Sequence, residues 1–467
     1  MHSNRGIFFV AFLVCALVGL SARAFAQEFG VVFAFRSGEP ASTPVQGRDG
    51  YLYGTAYGGE NGCGSVYRMS TSGVGGTLFQ FNGTAECVPV GGLILAADGN
   101  FYGAAYGGTA NLGALYRLTS DGAYTVLYNF QGLSDGANPT YTPIQASDGS
   151  LYGVTYGVYQ QSPGTIYKFS AAGSVTTIFS LNMDGSQGTT FSSAVTQAAD
   201  SNLYVTTFEG GQFNCGTILK LTTAGELLSQ YNFECKKNGE YPQGALLQAT
   251  DGNLYGTTDQ GGYVTKRCGD GCGTVYQLTP DGVLTLIHLF QEFDWWDATG
   301  AWGGLAQGTD GNLYGVSASG GDSYGVIYMT STSGDETPIW GDSCASRGGG
   351  CIPETALMQD TNGTFYGTFS HGGAHEMGTL YSMDMGLGPF ITFVQATGKA
   401  GGTAQILGQG LTGTTSVTFN GIAASSFSVN SDTSMTAVIP AAASTGPVVV
   451  TTPGGTLTSN ISFRISQ

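Results

Sequence analysis

The phrase DGNLYGTTDQGG, from Asp251 to Gly262, recurs along the chain with small changes. DGYLYGTAYGG begins at Asp49, DGNFYGAAYGG at Asp98, DGSLYGVTYG at Asp148 and DGNLYGVSASGG at Asp310. Each copy is anchored on a tyrosine that usually precedes glycine: Tyr53, Tyr102, Tyr152, Tyr204, Tyr255, Tyr314 and Tyr366. Their spacings are 49, 50, 52, 51, 59 and 52 residues. Periods of this length belong to solenoids and propellers. Within each period an apolar stretch such as GGLILAADG (Gly91 to Gly99) enters an Asp-Gly turn and then an LYGT strand. A GG-rich loop, a strand such as GTVYQLT (Gly273 to Thr279), a second turn and a last strand such as YTVLYNF (Tyr124 to Phe130) complete it.

This grammar describes a four-stranded meander, with glycine at turns that demand a positive φ. The strands do not alternate cleanly between apolar and polar, as expected of a sheet covered on both faces. A right-handed β-helix, repeating over ~20–25 residues, is the second choice. The seventh copy has GTLYSMDM (Gly378 to Met385) but no TVLYNF-like strand after it. GVVFAF, Gly30 to Phe35, supplies the missing piece. The expectation is an all-β chain: a seven-bladed β-propeller over residues 27–388, closed by an N-terminal strand and so without an open edge.

The recurring DGNLYGTT–GG–GTVY–LT–DG pattern resembles the Gloeo-Verruco tandem repeat of exported bacterial proteins, over roughly Phe29 to Leu387. The resemblance implies export and a repeat architecture, with anchoring or adhesive modules at the end of the chain. It transfers no catalytic residue. After Gly388 short alternating strands are separated by Gly, Pro and Thr turns, the pattern of a small β-sandwich. Gly408-Gln409-Gly410-Leu411, Ser416 to Gly421 (SVTFNG), Thr452-Pro453-Gly454-Gly455 and the opening Pro389 resemble the immunoglobulin-like IPT/TIG family. Residues 389–467 are therefore expected to form an IPT/TIG-like β-sandwich, a spacer or adhesive module.

Residues 1–26 read as a signal peptide, with Arg5, an apolar core from Ile7 to Leu20, and Ala24-Phe25-Ala26 before Gln27. No later segment is apolar enough to cross a bilayer. Export follows, and with the resemblance to exported bacterial proteins the expected location is extracellular, cell-surface or periplasmic in a bacterium. Cys15 leaves with the signal, so eight of nine cysteines remain, an even number for an oxidising compartment. Loss of Arg5 and Arg23 leaves 13 basic against 32 acidic residues and moves the formal charge from −17 to −19. Such a surface repels nucleic acid and anionic membranes. The protein is expected to be a monomer that needs no cofactor.

In a propeller meander the loops after the second and fourth strands emerge on one face. Cys63 with Cys87 and Cys215 with Cys235 occupy such loops and are expected to form disulfides. Cys268 with Cys272 and Cys344 with Cys351 close local loops. His371, His375 and Glu376, in SHGGAHEMG, are weak metal candidates. Their spacing is not HExxH and they lie in a glycine loop, so two solvated histidines are the plainer reading. His288 lies in an apolar strand and reads as a core residue. GLSDG (Gly132 to Gly136) and GDSYG (Gly321 to Gly325) fit G-x-S-x-G, but a nucleophile elbow needs a strand before it and a helix after it.

The 59-residue period carries the most informative irregularity. QEFDWWDATGAW holds Trp295, Trp296 and Trp302, three of the chain's four tryptophans, beside Asp294 and Asp297. Exposed, they form a ligand platform; buried, they plug the ring. The sequence leaves both open. The functional expectation is an exported, non-catalytic binding or adhesion protein whose propeller face holds a glycan or protein. The alternative is a propeller enzyme, a lyase or hydrolase of extracellular polysaccharide.

Overall fold

The computed structural model describes residues 28–466, apart from 84–85, 133–134, 158–161, 265, 267, 292–297, 321–323 and 342–349. Each copy of the phrase folds as an antiparallel sheet, and seven such sheets of four or five strands occur among the described residues before the C-terminal region. The second sheet pairs Glu86–Leu95, Phe101–Gly107, Ala114–Leu118 and Tyr124–Asn129 in chain order. Burial is greatest in the second strand and falls outward from it. In the third sheet Leu151–Thr155 is wholly buried, Thr165–Phe169 is buried at all but one position, and Val175–Ser180 is partly exposed throughout.

The repeated words have separate physical causes. In DGN-F-Y, Asp98 Oδ1 accepts the Asn100 amide at 3.0 Å and Oδ2 accepts the Tyr102 hydroxyl at 2.7 Å. One carboxylate thus closes the turn and ties down the following strand. Tyr53, Tyr152, Tyr204, Tyr255 and Tyr314 make the same bond to Asp49, Asp148, Asp200, Asp251 and Asp310. The seventh copy replaces Asp with Asn362, whose amide donates to the Tyr366 hydroxyl at 3.1 Å.

The glycine after the anchor tyrosine makes room for a second tyrosine. Gly54 lies opposite Tyr67, and a Cβ on Gly54 would sit 2.2 Å from the phenol oxygen. Gly103 faces Tyr116 and Gly153 faces Tyr167 in the same way. The fourth copy has Val205 in place of the glycine, and the residue opposite is Leu219. Where the bulky ring is absent, so is the glycine.

The sheets form a closed circuit. Glu28–Ala34 pairs antiparallel with Thr379–Asp384, so the last sheet combines both ends of the repeat region. Phe29 packs at ring-centroid distances of 5.2 Å from Trp340 and 5.3 Å from Tyr381. Glutamines join sheet to sheet near the Asp-Gly turns. Gln145, Gln197, Gln248, Gln307 and Gln359 accept the amides of Ala97, Ser147, Ala199, Thr250 and Thr309 in the preceding copy. Gln46 of the first copy accepts the amide of Thr361 in the seventh. The second copy has Leu95 at this position. There the link between first and second sheets runs through Arg48, which donates to the Ala97 carbonyl at 2.9 Å, and through Gln405 of the C-terminal region.

That region contains two four-stranded antiparallel sheets. One includes Thr403–Leu407 and Ser434–Val438, the other Ser416–Phe419 and Val448–Thr452, and Ile406, Met435, Phe419 and Val450 share their core. It docks on the Asp-Gly turns. Leu407 packs with Tyr53, Leu95 and Phe101. Thr433 Oγ1 donates to the Arg48 carbonyl at 2.7 Å, and Gln395 Nε2 to the Ala146 carbonyl at 2.8 Å. Gln409 Nε2 reaches Thr361 Oγ1 at 3.2 Å and Asp360 Oδ1 at 3.3 Å. Asp360 is fully buried where the other copies carry glycine or alanine, and burial pushes its carboxyl up to about 6.

Disulfides join Cys63–Cys87, Cys215–Cys235 and Cys268–Cys272, with Cα separations of 4.4, 5.2 and 5.2 Å. Cys351 is also disulfide-bonded; Cys344 lies outside the described residues. His288 departs from the core role expected of it. It sits on the outer strand Leu284–Leu289, half-buried, with Nε2 3.6 Å from Glu336 and Nδ1 3.1 Å from the Gly334 carbonyl. Its strand is apolar because the next sheet covers one face, while the imidazole reaches that sheet's edge. Among the described residues no helix is long and apolar enough to cross a membrane.

Candidate binding site at the channel mouth

A single cavity of about 400 Å³ is lined by a short stretch from each of the seven sheets: 41–43, 91–92, 140–142, 192–194, 243–246, 302–305 and 354–356. These stretches converge because each either precedes the innermost strand of its sheet or, at 91–92 and 243–246, falls at a register break within it. Their residues are small, including Ser42, Gly92, Thr142, Ala194, Ala245, Gly304 and Ala356, so the centre stays open. Neighbouring stretches are bonded: the Gly92 amide donates to Thr142 Oγ1 at 2.6 Å, and Thr43 Oγ1 to the Ala356 carbonyl at 2.9 Å.

The rim is aromatic and acidic. Tyr57, Tyr141, Trp302 and Glu354 line the cavity. Tyr106 and Tyr156 stand near Tyr141, close enough for the phenols to influence one another. Trp302 and Tyr156 are each 45 % exposed, so these two rings face solvent at the rim. The Trp302 indole is held in place, its Nε1 donating to Asp259 Oδ1 at 2.7 Å. Burial raises the Asp259 carboxyl, and the indole bond opposes that rise. Burial also raises Glu354, against the effect of His371. The surrounding protein, with Tyr106, Tyr156 and Tyr57, pushes the Tyr141 hydroxyl up to about 12. Burial also raises Tyr57 and Tyr106, so at neutral pH these two and Tyr141 are neutral donors and acceptors.

Trp302 is the one member of the expected tryptophan platform that the structure places. Trp295, Trp296, Asp294 and Asp297 lie outside the described residues. The chain that follows them is anchored, with Ala298–Thr299 paired to Ser319–Gly320 and the Gly300 amide bonded to the Cys272 carbonyl at 3.0 Å. His371 ends the strand Phe365–Gly372, with Nδ1 2.9 Å from Ser370 Oγ. His375 and Glu376 are exposed in the following turn. Among the described residues these three do not gather as potential metal ligands. Cys215, Cys235 and Glu240 do, but the two sulfurs are bonded to each other. Of the two G-x-S-x-G matches, residues 133–134 and 321–323 lie outside the described residues.

Tyr57, Tyr106, Tyr141, Tyr156, Asp259 and Glu354 did not stand out in the sequence as site residues. A signal was present for four of them. Tyr57, Tyr106, Tyr156 and Asp259 each follow the anchor tyrosine by four residues, inside the repeated phrase itself.

An all-β chain of repeated antiparallel sheets joined in a circuit around a cavity is a propeller-like protein. Residues 39–266 match the family model of the Gloeobacter/Verrucomicrobia repeat, so this part of the chain carries that repeat. The chain's fold is similar to the crystal structure of virginiamycin B lyase from Staphylococcus aureus, with a TM-score of 0.51 and 14 % identity over 77 % of this chain and 98 % of that one. Oligogalacturonate lyase in complex with manganese is similar at a TM-score of 0.50 and 12 % identity, over 77 % of this chain and 96 % of that one. Identities this low show the fold alone. No curated protein matches the chain in sequence.

Proposed function

We propose that this is an exported, non-catalytic binding protein: a seven-bladed β-propeller over residues 27–388 whose channel mouth holds a neutral glycan, carried beside an IPT/TIG-like sandwich over residues 389–467. The observation that carries this reading is the exposed Trp302, fixed by its bond to Asp259 on the rim of a cavity shared by all seven sheets. Sugar rings stack their apolar faces on such an indole while their hydroxyls bond to phenols and carboxyls. The acidic rim and the chain's net charge of −17 disfavour an anionic polymer and favour an uncharged one. The disulfides support export.

One observation favours a second reading, an enzyme acting on extracellular polysaccharide. Glu354 and Asp259 are both raised by burial on the same rim, as a general acid requires. A glycan array run with a turnover screen on the purified protein separates the two. Retention of neutral glycans without cleavage supports the binding protein; release of shortened products supports the enzyme.

A further inference from the structure

The other end of the channel holds a second cavity. Thr142, Ala194 and Ala245 line both the mouth and this space of about 370 Å³, which lies between the turn ends of the inner strands and the C-terminal sandwich. The sandwich contributes Val394–Thr397 and Arg464. Arg464 is set there by parallel pairing of Arg464–Ile465 with Thr397–Gly398.

Arg464 is the anomaly. It is half-buried, and desolvation outweighs the pull of the Asp200 carboxylate. Asp200 is already engaged by Lys220 at 2.9 Å, the Tyr204 hydroxyl at 2.9 Å and the Asn202 amides at 3.0 and 2.9 Å. Among the described residues the Arg464 guanidinium has no hydrogen bond or ion pair. Its nitrogens are not among the sealed, unpartnered polar atoms, so they stay open to a ligand that enters the cleft. Two of the lining amides are already engaged. Gln145 and Gln197 spend their carbonyls on the amides of Ala97 and Ser147, and their NH₂ groups on the carbonyls of Gly149 and Ser201. The rest of the wall mixes aliphatic Ile94, Ile144, Val195 and Val394 with the hydroxyl side chains of Thr142, Ser147, Thr196 and Thr397.

We propose that this cleft is a binding site for a small amphipathic carboxylate. The Arg464 guanidinium receives the carboxylate through paired N–H donors, and the aliphatic wall receives the apolar body. The position suits a ligand site: such sites favour seams between domains, combine apolar walls with a few polar groups, and have volumes of roughly 300–1,000 Å³. The proposal uses no residue of the mouth rim and stands apart from the glycan reading.

Benzoate, with benzamide as its neutral counterpart, tests it on the full chain by isothermal titration. The expected result is saturable benzoate binding, no benzamide binding, and at least tenfold weaker benzoate binding in Arg464→Gln, with partial recovery in Arg464→Lys. Phenylglyoxal labelling of the unaltered protein supplies a readout that does not depend on a variant folding. Benzoate, and not benzamide, should protect Arg464 in the peptide mass map. Absence of saturable benzoate binding, equal affinity for benzamide, or labelling of Arg464 unaffected by benzoate overturns the proposal.

Discussion

Gln46 and Thr361 stand 315 residues apart in the chain and are bonded twice: Gln46 Nε2 donates to Thr361 Oγ1 at 2.8 Å, and the Thr361 amide donates to Gln46 Oε1 at 3.3 Å. The same amide-to-glutamine bond joins successive copies elsewhere at separations near 50 residues. The closing contact is therefore the local contact of the repeat, made once across the whole length of the circuit.

Gln46→Ala removes both bonds at a buried position and leaves the Thr361 amide without its acceptor. The expected loss is ~1–3 kcal/mol of stability, read as a lower midpoint in urea unfolding. An unchanged midpoint contradicts the closing role.

Deletion of residues 28–35 exposes the strand Thr379–Asp384, which Glu28–Ala34 otherwise covers. An unpaired edge invites pairing with a second chain. Light scattering should show aggregation; a truncated protein that stays monomeric with unaltered melting contradicts closure by this strand.

Asp360 predicts a pH dependence. Its folded-state value of about 6 lies above the ordinary carboxylate value of 3.8 because burial disfavours its ionised form. The native state then holds the proton more tightly than the unfolded chain between these values. Its contribution is fully present below pH ~4 and is lost as pH rises through ~6, a change of about 3 kcal/mol. Asp360→Asn should be more stable than the parent at pH 7–8 and should lack this slope in denaturation measured from pH 4 to 8. A parent and variant with parallel pH profiles contradict the prediction.

The disulfides should rank by loop length. Cys63–Cys87 and Cys215–Cys235 span sequence separations of 24 and 20, against 4 for Cys268–Cys272. Loop-closure entropy gives about 3 kcal/mol for each long loop and about 2 for the short one. Paired Cys→Ser variants test the order by thermal unfolding, and a short-loop variant that loses most contradicts it.

Much of this architecture was legible because the chain repeats its own instructions. Asp-Gly marks the turn, the tyrosine four residues after the aspartate marks the next strand, and Gly30 to Phe35 matches the strand the last copy lacks. The glutamine seven residues before each anchor tyrosine, absent only at Leu95, was equally visible. Its partner was not, since a side chain's reach into the neighbouring sheet leaves no period of its own. The docking of the sandwich was hidden for the same reason: Gln395 and Gln405 bond to turns 249 and 308 residues away and Gln409 to one 49 residues away, and nothing local announces them. At the mouth, the tryptophan-rich loop drew attention by breaking the repeat. Tyr57, Tyr106 and Tyr156 were masked by belonging to it.

The central claim is that the channel mouth binds a neutral glycan through Trp302. Isothermal titration of neutral oligosaccharides chosen from the array, into the protein and into Trp302→Ala, tests it most directly. An exposed stacking anchor at a hot spot contributes ~2 kcal/mol or more, so affinity should fall at least tenfold while the melting temperature stays within a few degrees. Undiminished binding in the variant, or saturable binding to no glycan, contradicts the account.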